Sequence, residues 1–301
     1  MKWILLCFLM ASAPVGCGDD TSDDDDADGD ADADADGDGD ACATVLGDGA
    51  APIFEQTNSR FVFEAYPTFA QLQGRVYDRP SFSVHDEAAR EGACRLLTYE
   101  PTLCTPKCGP EDACVRGACV PYPTGLSAGE LTLRGVGDSP IVIEPDQWGG
   151  YTWVLEAAIE VTTIEVSAAG DAVGPFELSV CPVSAPQPIG DWSALLEARA
   201  DGQDVTLEWS DPRPGARVFL YMTTGIGTHG GISPAEIECE APDTGTLVLP
   251  GAFLDALYAQ GWSCGECGGN DLVRYYADQT ETDGIEVQLR SEAAATFWHI
   301  P

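Results

Sequence analysis

The fold class is decided by two stretches, Val205-Thr206-Leu207-Glu208-Trp209 and Val218-Phe219-Leu220-Tyr221-Met222. In both, a large apolar residue stands at every second position, which is the pattern of a strand that buries one face. Similar stretches recur from Leu126 onward, and residues that favour turns separate them. The pattern predicts an antiparallel β-sandwich, because a βαβ arrangement would need a helix between successive strands. The candidate strands are Leu131/Leu133, Ile141/Ile143, Tyr151/Trp153/Leu155, Ile164/Val166, Phe176/Leu178/Val180, Val205/Leu207/Trp209, Val218/Leu220/Met222, Ile237/Cys239, Leu247/Leu249, Leu272/Arg274, Ile285/Val287/Leu289 and Phe297/His299.

Two short helices are predicted within this β-rich region. The first runs from Asp191 to Ala200, with Asp191 as the N-cap that accepts a hydrogen bond from the first turn. The second runs from Pro250 to Gln260, where Leu254, Leu257 and Tyr258 share one face. The fold class is therefore all-β with one or two helices, and the sandwich module is predicted to cover residues 124–301.

A smaller β module is predicted over residues 53–123. Short apolar alternations occur at Phe61-Val62-Phe63, at Leu72 and Val76, and from Cys94 to Tyr99. The cysteine-rich stretch PTLCTPKCGPEDACVRGACVPYP follows them. So few apolar residues form a thin core, and disulfides are expected to supply part of the module's stability.

The cysteines indicate a disulfide framework. Of the 12 cysteines, Cys7 and Cys17 lie near the N-terminus, and the other ten form an even set. An even set in an exported chain predicts up to five bridges, although the sequence does not give their pairing. The candidates are Cys42, Cys94, Cys104, Cys108, Cys114, Cys119, Cys181, Cys239, Cys264 and Cys267.

Zinc is the alternative for clustered cysteines, but thiols in an oxidising compartment more often pair with each other. The stretch from Cys104 to Cys119 resembles the small cysteine-rich knots of EGF-like and Dickkopf-type modules, which implies a disulfide-bonded knuckle. Cys264 and Cys267 form a C-x-x-C pair, a spacing also found in thioredoxin-like redox sites. Because a glycine-rich turn and no helix follows this pair, a structural bridge is favoured.

The N-terminus indicates export and lipid attachment. Residues 1–16 combine one early lysine, a short apolar run and small residues, as a signal peptide does. Cys17 directly after Gly16 resembles the lipobox of bacterial lipoproteins, although Pro14 stands where that motif usually has leucine. The resemblance implies acylation of Cys17, and Gly18 implies the outer membrane. The alternative is an ordinary secreted protein cleaved near Ala13 or Gly16.

Residues 17–52 are predicted to be a lipid anchor followed by a disordered acidic linker. The tract from Asp19 to Asp40 holds 13 aspartates and no basic residue, so its charges repel each other. Two segments open like a calcium-binding loop, but the twelfth position is Ala35 in one and Ala43 in the other. Loose binding of divalent cations is therefore favoured over a true calcium site. The weak candidates are Asp24, Asp26, Asp28, Asp32, Asp34 and Asp36.

The charge of the chain excludes some partners. Its 50 acidic and 14 basic residues give a net charge of −36, and nucleic acids and anionic membrane surfaces both require basic patches. The membrane is therefore expected to be contacted only through the N-terminal lipid. The layout of acidic linker, cysteine knuckle and β module resembles that of myxobacterial outer-membrane lipoproteins, which implies a location but no activity.

No catalytic motif is found, so we predict no enzyme activity and no cofactor. The three histidines are His85, His229 and His299, and no G-x-S-x-G motif occurs. His229 is the best ligand candidate, because Thr228-His229-Gly230-Gly231 reads as a glycine-rich loop after a strand.

Aromatic residues supply the remaining ligand candidates. Trp148, Tyr151 and Trp153 could form a platform that stacks on sugars, although core packing is the alternative use. Arg274-Tyr275-Tyr276 is a similar patch. The leading hypothesis is a lipid-anchored binding or structural protein, and the alternative is a carbohydrate-binding or glycan-active surface protein. A third hypothesis is an adhesin whose cysteine knuckle contacts another protein.

Overall fold

A computed structural model describes residues 59–159, 161–224, 232–261 and 270–298, and within these ranges the chain forms nineteen strands and two short helices. The all-β prediction is confirmed. The strands are β1 (Arg60–Ala65), β2 (Ala70–Tyr77), β3 (Asp86–Glu91), β4 (Cys94–Thr98), β5 (Asp112–Val115), β6 (Ala118–Pro121), β7 (Gly125–Leu126), β8 (Leu131–Arg134), β9 (Ile141–Ile143), β10 (Gly150–Leu155), β11 (Ile164–Ala168), β12 (Phe176–Val180), β13 (Gln187–Pro188), β14 (Val205–Ser210), β15 (Arg217–Thr223), β16 (Ala235–Pro242), β17 (Thr246–Leu249), β18 (Asn270–Thr282) and β19 (Ile285–Phe297). The helices are α1 (Trp192–Ala198) and α2 (Gly251–Ala259).

A ten-stranded sheet forms one layer of the fold, with strand order β10-β2-β1-β19-β18-β15-β16-β4-β3 and β7 added beside β2. Its centre is the hairpin of β18 and β19, each 13 residues long. The two-residue loop Asp283-Gly284 has positive φ at both positions, +52° and +76°, as a type I′ turn requires. All neighbouring strands are antiparallel except β1 and β19, which run parallel.

Two smaller sheets pack on the ten-stranded sheet, and each encloses a hydrophobic core with it. The four-stranded sheet β12-β11-β8-β9 packs against β1, β2 and β10, and the three-stranded sheet β13-β14-β17 packs with both helices against β15, β16 and β4. Leu272 belongs to the second core and Tyr276, four residues along β18, to the first. Because side chains alternate along a strand, both cores lie on one face of the long sheet. We call the opposite face the outer face.

A buried ion pair involves Arg274, which lies on β18 between Leu272 and Tyr276. Its Nε lies 2.6 Å from Asp243 Oδ2, and the two side chains are only 1% and 0% exposed. Its two Nη groups donate to the carbonyls of Ser184 (3.1 Å) and Asp211 (2.9 Å). Asp243 Oδ1 accepts the indole N–H of Trp209 at 2.7 Å. Arg274 and Asp243 are thus each hydrogen-bonded to further protein groups, as buried charges require.

The predicted boundary between residues 123 and 124 does not separate two sheets. Strands β1 and β2 from the first segment pair with β19 and β10 from the second, and β4 pairs with β16. The chain divides instead into Met1–Gly39 and Asp40–Pro301, and the described residues all belong to the second unit. Period-2 alternation shows which face of a strand is buried but not which strand lies beside it, so the sequence suggested two modules.

Some strands differ in length from the prediction. The sequence predicts two separate strands here, Ile285–Leu289 and Phe297/His299, because Arg290–Thr296 carries charged residues and alanines that are not typical of a strand. In the structure, β19 is continuous from Ile285 to Phe297. Strand β3 was not predicted, since its sequence DEAARE has no large apolar residue. It is an edge strand, and charges at an edge oppose pairing with other chains.

The two helices lie where the sequence places them. The Asp191 carboxylate accepts the backbone N–H of Ala194 at 3.1 Å, as an N-cap does. Helix α2 buries Phe253, Leu254 and Leu257 against the second core. Neither helix, nor any other in the described ranges, has the length and apolar character needed to cross a bilayer.

Candidate functional site

Several predicted site residues lie outside the described residues, so the structure does not test them. They are the lipidation site Cys17, the cation candidates Asp24, Asp26, Asp28, Asp32, Asp34 and Asp36, the ligand candidate His229, and Cys42, Cys264 and Cys267.

Disulfides occur as predicted among the described cysteines. Cys94 on β4 is bonded to Cys239, its register partner on β16. In the knuckle around the β5–β6 hairpin, Cys104 is bonded to Cys114 and Cys108 to Cys119. Cys181 is also disulfide-bonded, and none of the six other described cysteines is its partner.

The knuckle sulfurs are close enough together to be compared with a zinc site. The Sγ atoms of Cys104, Cys108 and Cys119 lie within 4.8 Å of one another. Zinc binds thiolates, and each of these sulfurs is already in a disulfide. With both disulfides formed, the knuckle is covalently cross-linked and these sulfurs offer no thiolate ligand to zinc.

The predicted aromatic platform does not form. Trp148 is 68% exposed, whereas Tyr151 is buried and its hydroxyl donates to the Gly129 carbonyl at 2.8 Å and accepts the Ala128 N–H at 2.9 Å. Trp153 is half-buried and packs on the first core. Because Tyr151 and Trp153 have their rings on the core side, they cannot join Trp148 in an exposed stacking surface.

The patch Arg274-Tyr275-Tyr276 is also buried rather than exposed. The Tyr275 hydroxyl donates to Glu240 and the Tyr276 hydroxyl donates to the Pro214 carbonyl at 3.0 Å. All three residues are buried within the described fold, so the predicted exposed patch does not form.

A polar groove of about 470 Å³ lies at the β10 end of the long sheet. It lies on the outer face, over β1, β2 and β10, and we call it the edge groove. Guanidinium, amide, hydroxyl and carboxylate groups line it together, so it offers both donors and acceptors to a polar ligand. The described residues that line it are Arg60, Val62, Glu64, Gln73, Gly74, Arg75, Tyr77, Asp146, Gly150, Tyr151 and Thr152.

Two arginines face each other at one end of the edge groove. Arg60 on β1 and Arg75 on β2 are register partners, so their side chains leave the sheet side by side. Arg75 Nη2 lies 3.9 Å from Asp146, and the Arg75 guanidinium lies 5.9 Å from the centre of the Tyr77 ring. Within the described ranges Arg60 has no carboxylate within ion-pair distance.

A glycine makes room for these charged groups. A Cβ atom at Gly150 would lie 2.8 Å from Asp146 Oδ2 and 2.9 Å from Arg75 Nη2. Asp146 Oδ1 accepts the backbone N–H groups of Gly150 (2.8 Å) and Trp148 (2.7 Å), and these bonds hold the pKa of Asp146 below its usual range. The carboxylate is therefore ionised and fixed in place at neutral pH.

A carboxylate marks the other end. Glu64, four residues from Arg60 on β1, accepts hydrogen bonds from Gln71 and from the Tyr66 hydroxyl at 3.0 Å. Burial and the Glu64 charge raise the pKa of Tyr66 to about 12. Between the charged ends, Gln73 pairs in register with Val62 on one side and Thr152 on the other. The edge groove thus has a cationic end, an uncharged middle and an acidic end.

A second polar cluster on the outer face is structural. Glu240 on β16 binds Arg217 Nε at 2.7 Å and the hydroxyl of Tyr275. Two residues along, Glu238 binds Arg95 at 2.6 Å. Burial raises the pKa of Glu240 above its usual range, and the Arg217 and Tyr275 hydrogen bonds oppose that shift. Since its donors are protein groups, this cluster links strands and leaves little for a ligand.

One histidine occurs among the described residues, His85, and it lies at the end of this cluster. His85 Nε2 lies 2.8 Å from the Ser233 carbonyl and 3.5 Å from Glu236 Oε1, which also accepts the Tyr221 hydroxyl at 2.8 Å. Burial raises the pKa of Glu236 and that of Tyr221. His85 thus fixes the chain before β3 against the Ser233 backbone.

Sequence reasoning missed the edge groove. Arg60, Gln73, Arg75 and Thr152 stand at the polar positions of strands that were recognised by their apolar positions. A signal was available, since Arg60 and Arg75 lie within or beside two consecutive predicted strands of a chain with only 14 basic residues. It could not locate a site, because only the β1–β2–β10 pairing brings these residues together.

Comparisons with known proteins give little further guidance. No family model matches the chain, and no curated protein matches it. Among solved structures, the chain is similar to a 1.5-MDa bacterial ice-binding adhesin studied for its retention at the host cell surface. The similarity covers 81% of this chain and 66% of that chain, just under two thirds, at 11% identity and a TM-score of 0.18. So low a TM-score supports no functional assignment.

Proposed function

We propose that the chain is an exported, lipid-anchored binding protein of the bacterial outer membrane, with no catalytic activity. Acylated Cys17 holds it to the membrane, the acidic linker spaces the β-sandwich from the surface, and the edge groove holds a polar ligand. We also propose two relationships on the basis of resemblance. The layout of the chain relates it to myxobacterial lipoproteins, and the cysteine spacing relates its knuckle to EGF-like modules.

The observation that carries a binding role is the edge groove with its fixed lining. Asp146 is held by backbone N–H groups and Arg75 lies over a glycine, so the donors and acceptors are arranged before a ligand arrives. Such pre-organisation lowers the entropy lost on binding. Disulfides in the described fold are in keeping with an exported protein, because cytosolic thiols are kept reduced.

Membrane attachment is tested by Cys17→Ala in the full chain, expressed in a Gram-negative host and labelled with a clickable palmitate analogue. We expect the variant to lose the label and to leave the membrane fraction, because acyl chains contribute about 0.8 kcal/mol per buried methylene. Cys7→Ala, within the signal peptide, is the control and should keep the label. A Cys17→Ala protein that stays labelled and membrane-bound would rule out this anchor.

A carbohydrate is the ligand class that the groove favours, because its middle offers an amide and a hydroxyl to sugar hydroxyls. Thr152→Trp would fill that middle, and we expect it to lower retention on a glycan array by about tenfold or more, as a 1.4 kcal/mol loss does. Val154→Trp is the matched control, since Val154 lies exposed on the same face of the same strand without lining the groove. Equal retention of the two variants would contradict the assignment.

A further inference from the structure

We infer that the edge groove selects an acidic oligosaccharide and binds a sugar carboxylate between Arg60 and Arg75. This inference rests on the proposed function, because it names the ligand of the same groove.

The arginine pair provides excess positive charge at one end. Like charges directly opposite on neighbouring strands destabilise a sheet unless an anion lies between them. Of the two arginines, Asp146 contacts only Arg75, at 3.9 Å. Its Oδ1 already accepts two backbone N–H groups. Arg60 has no ion-pair partner among the described residues although acidic residues are abundant. An incoming carboxylate would meet two guanidinium groups, which bind such planar anions through paired hydrogen bonds.

The rest of the groove argues for a sugar acid and against a more highly charged anion. Glu64 stands four residues along β1 from Arg60, which is about 13 Å at the rise of a β-strand. A phosphorylated or sulfated chain with charges along its length would place one of them near Glu64 or beside Asp146. A short sugar with its carboxylate at the arginine end meets the uncharged middle, Gln73 and Thr152, with hydroxyl groups. Glu64 can then accept a hydroxyl hydrogen bond.

The test compares 3′-sialyllactose, which carries a single carboxylate on its terminal sugar, with its uncharged methyl ester by isothermal titration of the intact mature protein. We expect the acid to bind about tenfold or more tightly than the neutral sugar, since a hydrogen bond to a charged group contributes about 1.5–3 kcal/mol. Arg60→Gln with Arg75→Gln should abolish this preference, so that the variant binds the acid and the neutral sugar with equal affinity. Arg134→Gln removes one exposed arginine from β8, in another sheet, and should keep the preference.

The outcomes separate this inference from the proposed function. Equal affinity for the two sugars, or a preference that survives Arg60→Gln/Arg75→Gln, would overturn acid selection while a glycan-binding groove remained. If neither sugar binds and Thr152→Trp changes nothing on the array, the groove is not a glycan site and both proposals fail. Thermal unfolding of each variant shows whether the substituted sheet remains folded.

Discussion

Asp243→Asn is expected to lower the free energy of unfolding by about 3–5 kcal/mol, the usual effect of removing one partner of a buried ion pair. Arg274 would keep its charge at 1% exposure without a counterion. Asparagine could still accept the indole N–H of Trp209 or the backbone N–H of Arg213, but it could not neutralise the guanidinium. Urea unfolding followed by tryptophan fluorescence measures the loss directly.

Two further variants show whether the uncompensated charge is the cause. Asp211→Asn removes an ion pair with Arg213 whose side chains are 46% and 59% exposed, and we expect it to cost less than about 1 kcal/mol. Adding Arg274→Met to Asp243→Asn should restore part of the lost stability, since no charge then remains buried. A double variant less stable than Asp243→Asn would show that the guanidinium itself stabilises the fold.

The second large effect is expected from the disulfide between β4 and β16. The Cys94–Cys239 bridge joins residues 145 positions apart, and the chain-entropy relation gives a stabilisation of about 5 kcal/mol for a loop of that length. Both cysteines are buried in the second core, so Cys94→Ala with Cys239→Ala changes little else. Without the bridge, β4 and the edge strand β3 are held by hydrogen bonds, packing and the ion pair between Arg95 and Glu238.

The matched control is Cys104→Ala with Cys114→Ala, which opens a bridge between residues ten positions apart. The same relation gives about 3 kcal/mol for this shorter loop. Urea unfolding of both variants in the absence of reductant should therefore show the larger loss for the Cys94/Cys239 variant. An equal or reversed order would mean that loop length does not govern these bridges.

The sequence predicted the buried faces of strands well. The apolar positions of the defining stretches, including Leu207, Trp209, Val218 and Leu220, all lie in the second core. Asp191 caps its helix as expected, because capping depends on neighbouring residues only. These features follow from local periodicity and local hydrogen bonding, which a single sequence contains.

Features that depend on pairing between distant strands were not predictable. The parallel pairing of β1 with β19 joins residues more than 200 positions apart, and it merges segments that composition divides at residue 123. The edge groove depends on a different distant pairing, that of β1, β2 and β10, since Arg60 and Thr152 approach only through β2. The predicted aromatic platform was wrong for a related reason, because strand alternation turns Tyr151 and Trp153 toward the core.

The parallel pairing of β1 and β19 also has a mechanical consequence. The chain enters the described fold at Ser59, and β1 is hydrogen-bonded on one side to β2 and on the other to β19, which ends near the C-terminus. A pull between these two ends acts along the axes of two parallel strands and loads their hydrogen bonds together, in shear. Antiparallel neighbours pulled from adjacent ends would instead open one bond at a time. The order of strands thus suits the fold to bear tension along its own chain.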